Sequence, residues 1–321
     1  MDRAEEVLNL AEQALLPGAR SLTPPEVWTA AGVDEALARR LWLAMGFPTA
    51  PDEVPAFGEA DVEALRTAAG MLNARVMAGA GDDLVVQQAR VMARAIATVA
   101  ASHAEVIGPL LSDPDLSDIA VATQELPRVE RLLGYMYRRH LLDAIRRLQV
   151  GPSGDDDGAG VAVGFADLVG FTAAANEMTE AELASLVDSF TALAADTVAA
   201  RAGRVVKVIG DEVMFAVAGP RAAADTALEL VARLPAAAGM DLRVGLAWGP
   251  VIQREGDLFG PTVNLASRLT GIARPGTILV DEALGDALGE EPDLDVHWLR
   301  RHNLKGFGRV RAAALRSLEG A

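Results

Sequence analysis

Val-rich runs alternating with Ala-rich helical runs beyond residue 160, helical patterns without such runs before residue 149, and a Gly/Ser/Pro/Asp stretch between them predict an α+β protein in two parts. The first part, 1–148, is expected to be all-helical. The second, 161–321, is expected to form a β-α-β-β-α-β split sheet of the ferredoxin-like kind, with additions. The stretch between them, residues 149–160 (QVGPSGDDDGAG), reads as a flexible, solvated linker.

The elements of the second part follow in order. VAVGFADLV (161–169) is a strand stopped by Gly170. Residues 178–203 form a helix, with Thr179 as N-cap, Glu182 three residues on, and Gly203 as its stop. RVVKVI (204–209) and EVMFAVA (212–218) flank Gly210-Asp211 as a hairpin. Residues 220–235 are a second helix and DLRVGLAWG (241–249) a further strand. NLASRLTGIA (264–273) is helical, and TILVDEAL (277–284) runs from strand into helix.

In the first part, residues 22–48 have a helix-turn-helix look around Ala31-Gly32-Val33. The segment's only basic residues are Arg39 and Arg40, too few to neutralise a run of phosphates, so a packed module is expected and not a DNA reader. In the helical pattern over 62–111, Met71, Met77 and Met92 read as core, with a lipid-like ligand as the alternative. YMYRRHLLDAIRRL (135–148) is a basic amphipathic helix. Its Leu132, Tyr135, Leu142 and Ile145 are expected to pack while Arg138, Arg139, Arg146 and Arg147 stay solvated or paired.

Composition narrows the function. The 321 residues contain no cysteine, which excludes disulfides, thiolate zinc sites and cysteine nucleophiles. A net charge of −16 opposes a nucleic-acid footprint or an acidic-membrane anchor. No apolar stretch reaches membrane-spanning length and the first residues lack the order of a signal peptide, so a cytoplasmic protein is expected.

The run VVKVIGDEVMF (205–215) places a lysine and two acids inside a strand-like apolar sequence. Asp211 falls at the hairpin tip and Asp167 at the end of the first strand, which neighbours that hairpin in a split sheet. Two carboxylates brought close repel unless a cation lies between them, and Mg²⁺ or Mn²⁺ held by carboxylates and substrate phosphates is one solution. Taken singly, each Asp is equally a turn former.

FADLVGFT, KVIGDEVMF and GPTVNLASR together resemble, in order, three motif blocks of the class III nucleotidyl cyclases, the adenylyl and guanylyl cyclase catalytic domain. The resemblance runs from about Val161 to the C-terminus. It implies that Asp167 and Asp211 bind two metal ions (Mg²⁺ or Mn²⁺), with the Leu168 carbonyl as a further ligand. It implies that Lys207 and Asp257 read the purine, Asn264 orients the ribose, Arg268 stabilises the transition state and Lys305, in NLKGFG, contacts the polyphosphate. By residue type alone, Asn264 is also a candidate N-cap and Arg268 an exposed helix arginine.

A lysine donor and an aspartate acceptor complement adenine's N1 and N6, whereas guanine's O6 and N1–H ask for the reverse. ATP is therefore the expected substrate. Its products would be 3′,5′-cyclic AMP and pyrophosphate, with a guanylyl cyclase or a silent nucleotide sensor as alternatives. The resemblance also implies a head-to-tail homodimer with sites at the interface. Pro261, where many members carry a polar residue, and the short segment 248–257 depart from the family's pattern. The first part resembles the helical regulatory domain of soluble actinobacterial members. The helix 135–148 is then a hinge candidate, and His140, as a histidine, makes pH sensitivity an expectation.

Overall fold

The computed structural model describes residues 3–16, 18–71, 81–112, 116–150 and 160–318; Met77 and most of the expected linker, 151–159, lie outside them. The chain divides into two compact units, Met1–Arg147 and Leu148–Ala321. The first contains α1 (Arg3–Leu15), α2 (Pro24–Ala31), α3 (Glu35–Ala44), α4 (Glu59–Gly70), α5 (Gly81–Ser112) and α6 (Leu116–Val150), the last running on into the second unit.

In α2 the Glu26 carboxylate accepts hydrogen bonds from the Thr23 backbone N–H and hydroxyl, at 2.8 and 2.9 Å. Gly32 ends that helix at φ 69°, and Asp34 caps α3 by accepting from Ala36 N–H at 2.9 Å. The turn is thus a helix-turn-helix locally, but its aromatic side chains point into the unit. Trp42 meets Phe57 edge-on at 5.0 Å and Trp28 at 6.1 Å, within a core that includes Val27, Leu41 and Leu65. Arg39 is bonded to Glu35 and Asp52, and Arg40 is paired with Asp83.

Two sequence expectations fail in this unit. Leu132, Tyr135, Leu142 and Ile145 of α6 do not pack; they are 57, 55, 40 and 45% exposed. Apolar side chains are spread around the helix, with Tyr137 and Leu141 exposed as well, so no single flank can bury them all. Met71 and Met92 are not core either. They are exposed and, with Leu43, Phe47 and Ile96, line an apolar cavity of about 640 Å³ between α3, α4 and α5.

The second unit begins with β1 (Val161–Leu168), α7 (Phe171–Ala175), α8 (Glu180–Ala199), β2 (Arg204–Ile209), β3 (Glu212–Val217), α9 (Pro220–Ala238) and β4 (Leu242–Gly249). It continues with β5 (Ile252–Arg254), β6 (Asp257–Phe259), α10 (Pro261–Ile272), β7 (Ile278–Asp281) and α11 (Glu282–Leu288), then β8 (Leu294–Trp298), β9 (His302–Leu304), β10 (Gly308–Val310) and β11 (Ala312–Ser317). One seven-stranded sheet has the order β2-β3-β1-β4-β7-β11-β8. Its first four strands are the antiparallel split β-α-β-β-α-β sheet; β7 joins β4 in parallel, and β11 and β8 extend that edge. The protein is α+β.

Both faces of β1, β3 and β4 are covered, which is why these strands read as nearly continuous apolar runs. Ala162, Ala166, Val213, Phe215, Val244 and Leu246 face α8 and α9. Val163, Phe165, Met214 and Ala247 face the other way, toward Val263 and Ala266 of α10. The capping box on α8 forms as expected, with Thr179 N–H and hydroxyl donating to Glu182 at 2.9 and 2.8 Å. Gly203 is not the helix stop. The helix ends at Ala199, and Gly203 is needed because a Cβ there would sit 2.4 Å from Val217 and 2.8 Å from Val198.

Gly245 lets α10 lie directly on β4: a Cβ would stand 2.3 Å from the Thr270 nitrogen and 2.4 Å from the Ala266 oxygen, both main-chain atoms that cannot swing aside. Gly245→Ala is expected to destabilise this unit by about 3 kcal/mol, read as a lowered unfolding midpoint.

Asp281, 6% exposed, caps α11. One carboxylate oxygen accepts from Leu284 N–H at 3.0 Å and Trp248 N–H at 3.3 Å, tying the helix to β4. Burial pushes its pKa up to about 6 against these bonds. A raised carboxylate pKa means that the folded state holds the proton more tightly. Its contribution to stability is complete below about pH 4 and is lost as pH rises through about 6. Asp281→Asn keeps the acceptor oxygen and removes the ionisation. It should be more stable than wild type at pH 7.5, by up to about 3 kcal/mol, and no more stable at pH 4. Denaturant midpoints at both pH values decide this; equal differences at both would rule it out.

Candidate active site

The hairpin β2–β3 turns on Gly210, at φ 62°, and Asp211, with Ile209 opposite Glu212. A glycine with positive φ as first residue of a two-residue loop follows the right-handed twist of the strands. Asp211 sits at this tip, and its carbonyl accepts the Leu168 N–H at 3.2 Å, so the hairpin tip is fixed to the end of β1. Asp167 is one residue before, on β1. The two segments named by their carboxylates are therefore adjacent.

Cross-strand register adds two residues that the sequence reading missed. Asp167 lies opposite Glu212 on β3 and opposite Arg243 on β4. Directly paired residues share a face, so Glu212, Asp167 and Arg243 form a row across three strands, on the α10 side of the sheet. Arg243 Nε donates to Asp167 at 2.5 Å. Burial raises the Asp167 pKa, Arg243 opposes that rise, and the nearby Asp211 carboxylate adds to it. Glu212 is pushed up to about 7, first by burial and then by Asp167 and Asp211. Arg243 carried a readable signal: it is the one cation in the otherwise apolar strand β4.

Three carboxylates thus lie near one guanidinium, a net charge of −2, two positive charges short of neutrality, when all are ionised. Hard oxygen donors with that deficit fit a hard divalent cation. Among the described residues no three carboxylate or imidazole groups form a ready-made metal cage. The donor set therefore fits an ion that completes its coordination with substrate oxygens and water. Arg243 and such an ion would share the Asp167 carboxylate, of which Arg243 holds Oδ2.

Lys207 reaches this face through a β-bulge. Val205 pairs with Phe215, yet Lys207 pairs with Met214, so Val206 is the extra residue. With regular alternation Lys207 would share the face of Val205 and Phe215, the one packed by α8 and α9. The bulge moves it to the face of Met214 and the carboxylate row. Its Nζ donates to Asp257 Oδ2 at 2.7 Å and stands 6.0 Å from the exposed Phe259 ring.

Asp257 opens β6. The β5–β6 hairpin turns through Glu255 and Gly256, both at positive φ (54° and 82°), as a two-residue turn of this twist requires. Arg204, also on β2, donates to the Gly256 carbonyl at 3.0 Å, so two β2 cations hold this hairpin in place. The short segment after Trp248 is this hairpin.

Pro261 takes the first position of α10, where its missing N–H costs nothing, and Thr262 donates its hydroxyl to the Pro250 carbonyl at 2.7 Å. Asn264 is accordingly inside the helix and not its N-cap, which is Gly260. Asn264 and Arg268, four apart, are both exposed on one helix face. Lys305 is exposed at the β9–β10 turn. The structure thus gathers Asp167, Leu168 and Asp211 at one end of the sheet, and joins Lys207 to Asp257. Among the described residues no hydrogen bond or ion pair links Asn264, Arg268 or Lys305 to either set.

Comparison with known proteins supplies the family. Residues 156–316 match the family described as the adenylate and guanylate cyclase catalytic domain. An adenylate cyclase of Streptomyces coelicolor is 41% identical over 297 residues, covering 89% of this chain and 77% of the relative. One of Glutamicibacter nicotianae is 33% identical over 337 residues, covering 97% and 82%. A protein of Mycobacterium tuberculosis named pH-sensitive adenylate cyclase is 34% identical over 284 residues, covering 82% and 69%. These matches extend well into the helical unit. With the three motif blocks in one folded unit, the chain belongs to the class III nucleotidyl cyclases, the family of adenylate and guanylate cyclase catalytic domains.

Proposed function

We propose that this chain is an adenylyl cyclase that converts ATP into 3′,5′-cyclic AMP and pyrophosphate. The 3′-oxygen forms a bond to the α-phosphorus, the bond from that phosphorus to the bridging oxygen of the β-phosphate breaks, and the 3′-hydroxyl proton leaves to solvent. The observation that carries the choice of ATP is the bulge-positioned Lys207–Asp257 pair at 2.7 Å. It offers one donor and one acceptor, as adenine's N1 and N6 require, and guanine would leave both unsatisfied. The relatives named adenylate cyclase support the same choice.

Asp167, Asp211 and the Leu168 carbonyl would hold two Mg²⁺ or Mn²⁺ ions, which when bound make the 3′-hydroxyl more acidic and neutralise the triphosphate. Arg243 keeps Asp167 compensated until then, and a guanidinium freed from it faces the same anionic substrate. Asn264 orients the ribose. Arg268 stabilises the charge that develops at phosphorus, through a planar fork that stays charged. Lys305 contacts the polyphosphate. Because, among the described residues, no hydrogen bond or ion pair links Asn264, Arg268 or Lys305 to the carboxylate and purine sets, the reading places a whole site across two chains. A head-to-tail homodimer would, with α10 of one chain facing the carboxylates of the other.

The helical unit is proposed to regulate this site through α6, with His140 as a pH-responsive group; the relative named pH-sensitive supports that reading. Incubating the purified chain with ATP or GTP and Mg²⁺ or Mn²⁺, then quantifying cyclic nucleotides, tests the chemistry. Cyclic GMP as the main product would overturn the substrate assignment. Specific activity independent of protein concentration well below the dimer's dissociation constant would overturn the shared site. A pH–activity profile unchanged in His140→Gln would remove that residue from regulation.

A further inference from the structure

The chain carries 45 acidic and 29 basic residues, so its field repels a nucleotide triphosphate at long range. One stretch runs against this balance. From 296 to 318 there are six cations (Arg300, Arg301, Lys305, Arg309, Arg311 and Arg316) and no acid. Arg311 is used within the fold: it stacks on Trp298, 3.7 Å from the ring centroid, and pairs with Glu282 at 3.2 Å. Arg300, Arg301 and Arg309 are different. All three are exposed, and among the described residues none has a hydrogen bond or ion pair to an acid.

Their position relates them to the proposed chemistry. The β9–β10 hairpin and the segment leading into it pack on α10, with Leu304 in one apolar cluster with Leu269 and with Leu299, Phe307 and Leu265 against that cluster. Those anchors fix the hairpin beside the helix that presents Arg268, itself exposed and without an ion pair among the described residues. Arg309 lies opposite Asn303 across the hairpin and Lys305 is at its turn. The hairpin therefore borders α10 on the side of the sheet that carries the Glu212–Asp167–Arg243 row, with Arg309 and Asn303 on its outer face, opposite the one through which Leu304 and Val310 pack on the α10 cluster. Unpaired exposed arginines add nothing to folding that would account for their clustering, since exposed charges are worth little to stability even when paired.

We propose that Arg300, Arg301 and Arg309 form a recruiting surface for the polyphosphate of the incoming nucleotide, outside the residues that hold it during reaction. The proposal rests on the cyclase reading, because only a polyanionic substrate approaching α10 gives the surface its use. Charges at the rim of a site act mainly on the association rate and its salt dependence, and leave dissociation and chemistry nearly unchanged. An acidic protein needs this more than a basic one.

The test uses the full chain with Mg²⁺ and a fluorescent N-methylanthraniloyl-ATP, followed by stopped flow at several salt concentrations, alongside steady-state conversion of ATP. Arg300→Glu/Arg301→Glu/Arg309→Glu should lower the association rate constant about tenfold at low salt and weaken its salt dependence. KM should rise by a similar factor with kcat within about twofold. The triple Arg→Lys variant, keeping charge but not the guanidinium, should behave as wild type. Unchanged association and salt slope in the reversal variant, with ATP still cyclised, would overturn the recruiting surface alone. A fall in kcat with association unchanged would overturn it as well, since it would place these residues in the chemistry. A wild-type chain that neither binds the probe nor cyclises ATP would overturn the cyclase reading, and the recruiting surface with it.

Discussion

Asp211→Ala and Asp167→Ala are each expected to lower cyclic AMP formation by at least about 10³-fold, roughly 4 kcal/mol of lost transition-state stabilisation. Both residues stand where the end of β1 meets the β2–β3 turn, and on the proposed reading either loss would leave a divalent ion one carboxylate short. The two variants should differ in stability. Asp167 is bonded to Arg243 and lies opposite Glu212, so its removal strands a guanidinium while relieving repulsion between carboxylates. Asp211 is joined to β1 through its main chain, which alanine retains. Unfolding midpoints of Asp211→Ala should therefore stay within about 1 kcal/mol of wild type. Cyclic AMP production by either variant at a tenth of the wild-type rate or more would remove that carboxylate from the chemistry.

The second large effect concerns substrate choice. Lys207→Ala is expected to reduce kcat/KM for ATP by about 10²-fold or more, because Asp257, bonded to Lys207 in this structure, would on the proposed reading face the purine without its partner. Lys207→Glu combined with Asp257→Ser should go further and invert the preference. Glutamate accepts from guanine N1–H, serine donates to O6, and adenine meets the wrong pattern at both positions. The ratio of kcat/KM for GTP to that for ATP, compared across wild type, single and double variants, measures this. A ratio unmoved in the double variant would mean that the pair only braces the β5–β6 hairpin. In that case Arg204→Ala, which loses the other tie to the same hairpin, should reproduce the defect.

Much of this site was legible because its chemistry sits at turns and strand ends, where residue type and local sequence agree. Gly210-Asp211 between two β-branched runs states a hairpin tip, and Thr179 with Glu182 states a helix start, without reference to the rest of the chain. The start of α10 reads late in the sequence: the helix begins at Pro261, three residues earlier than the apolar periodicity indicates. Other features depend on what lies across space. Gly203 resembles a helix stop, but the constraint on it comes from Val217, on a different strand. The four apolar residues assigned to packing on α6 are exposed, because periodicity shows that a face exists and not what covers it.

By itself the sequence determined the α+β class, the order of the split sheet and the residue types on which an adenine-selective phosphoryl-transfer reading rests, since these follow from local periodicity, turn chemistry and motif spacing. Tertiary structure decided which way those residues point and what accompanies them. The register of β1 against β3 and β4 places Glu212 and Arg243 beside Asp167, although they lie 45 and 76 positions away in the chain. The single extra residue at Val206 decides that Lys207 faces Asp257 and not the α8–α9 core. Strand alternation has a period of two, so a one-residue bulge reverses every side chain beyond it, and whether a bulge forms depends on the pairing strand and not on the bulged sequence alone.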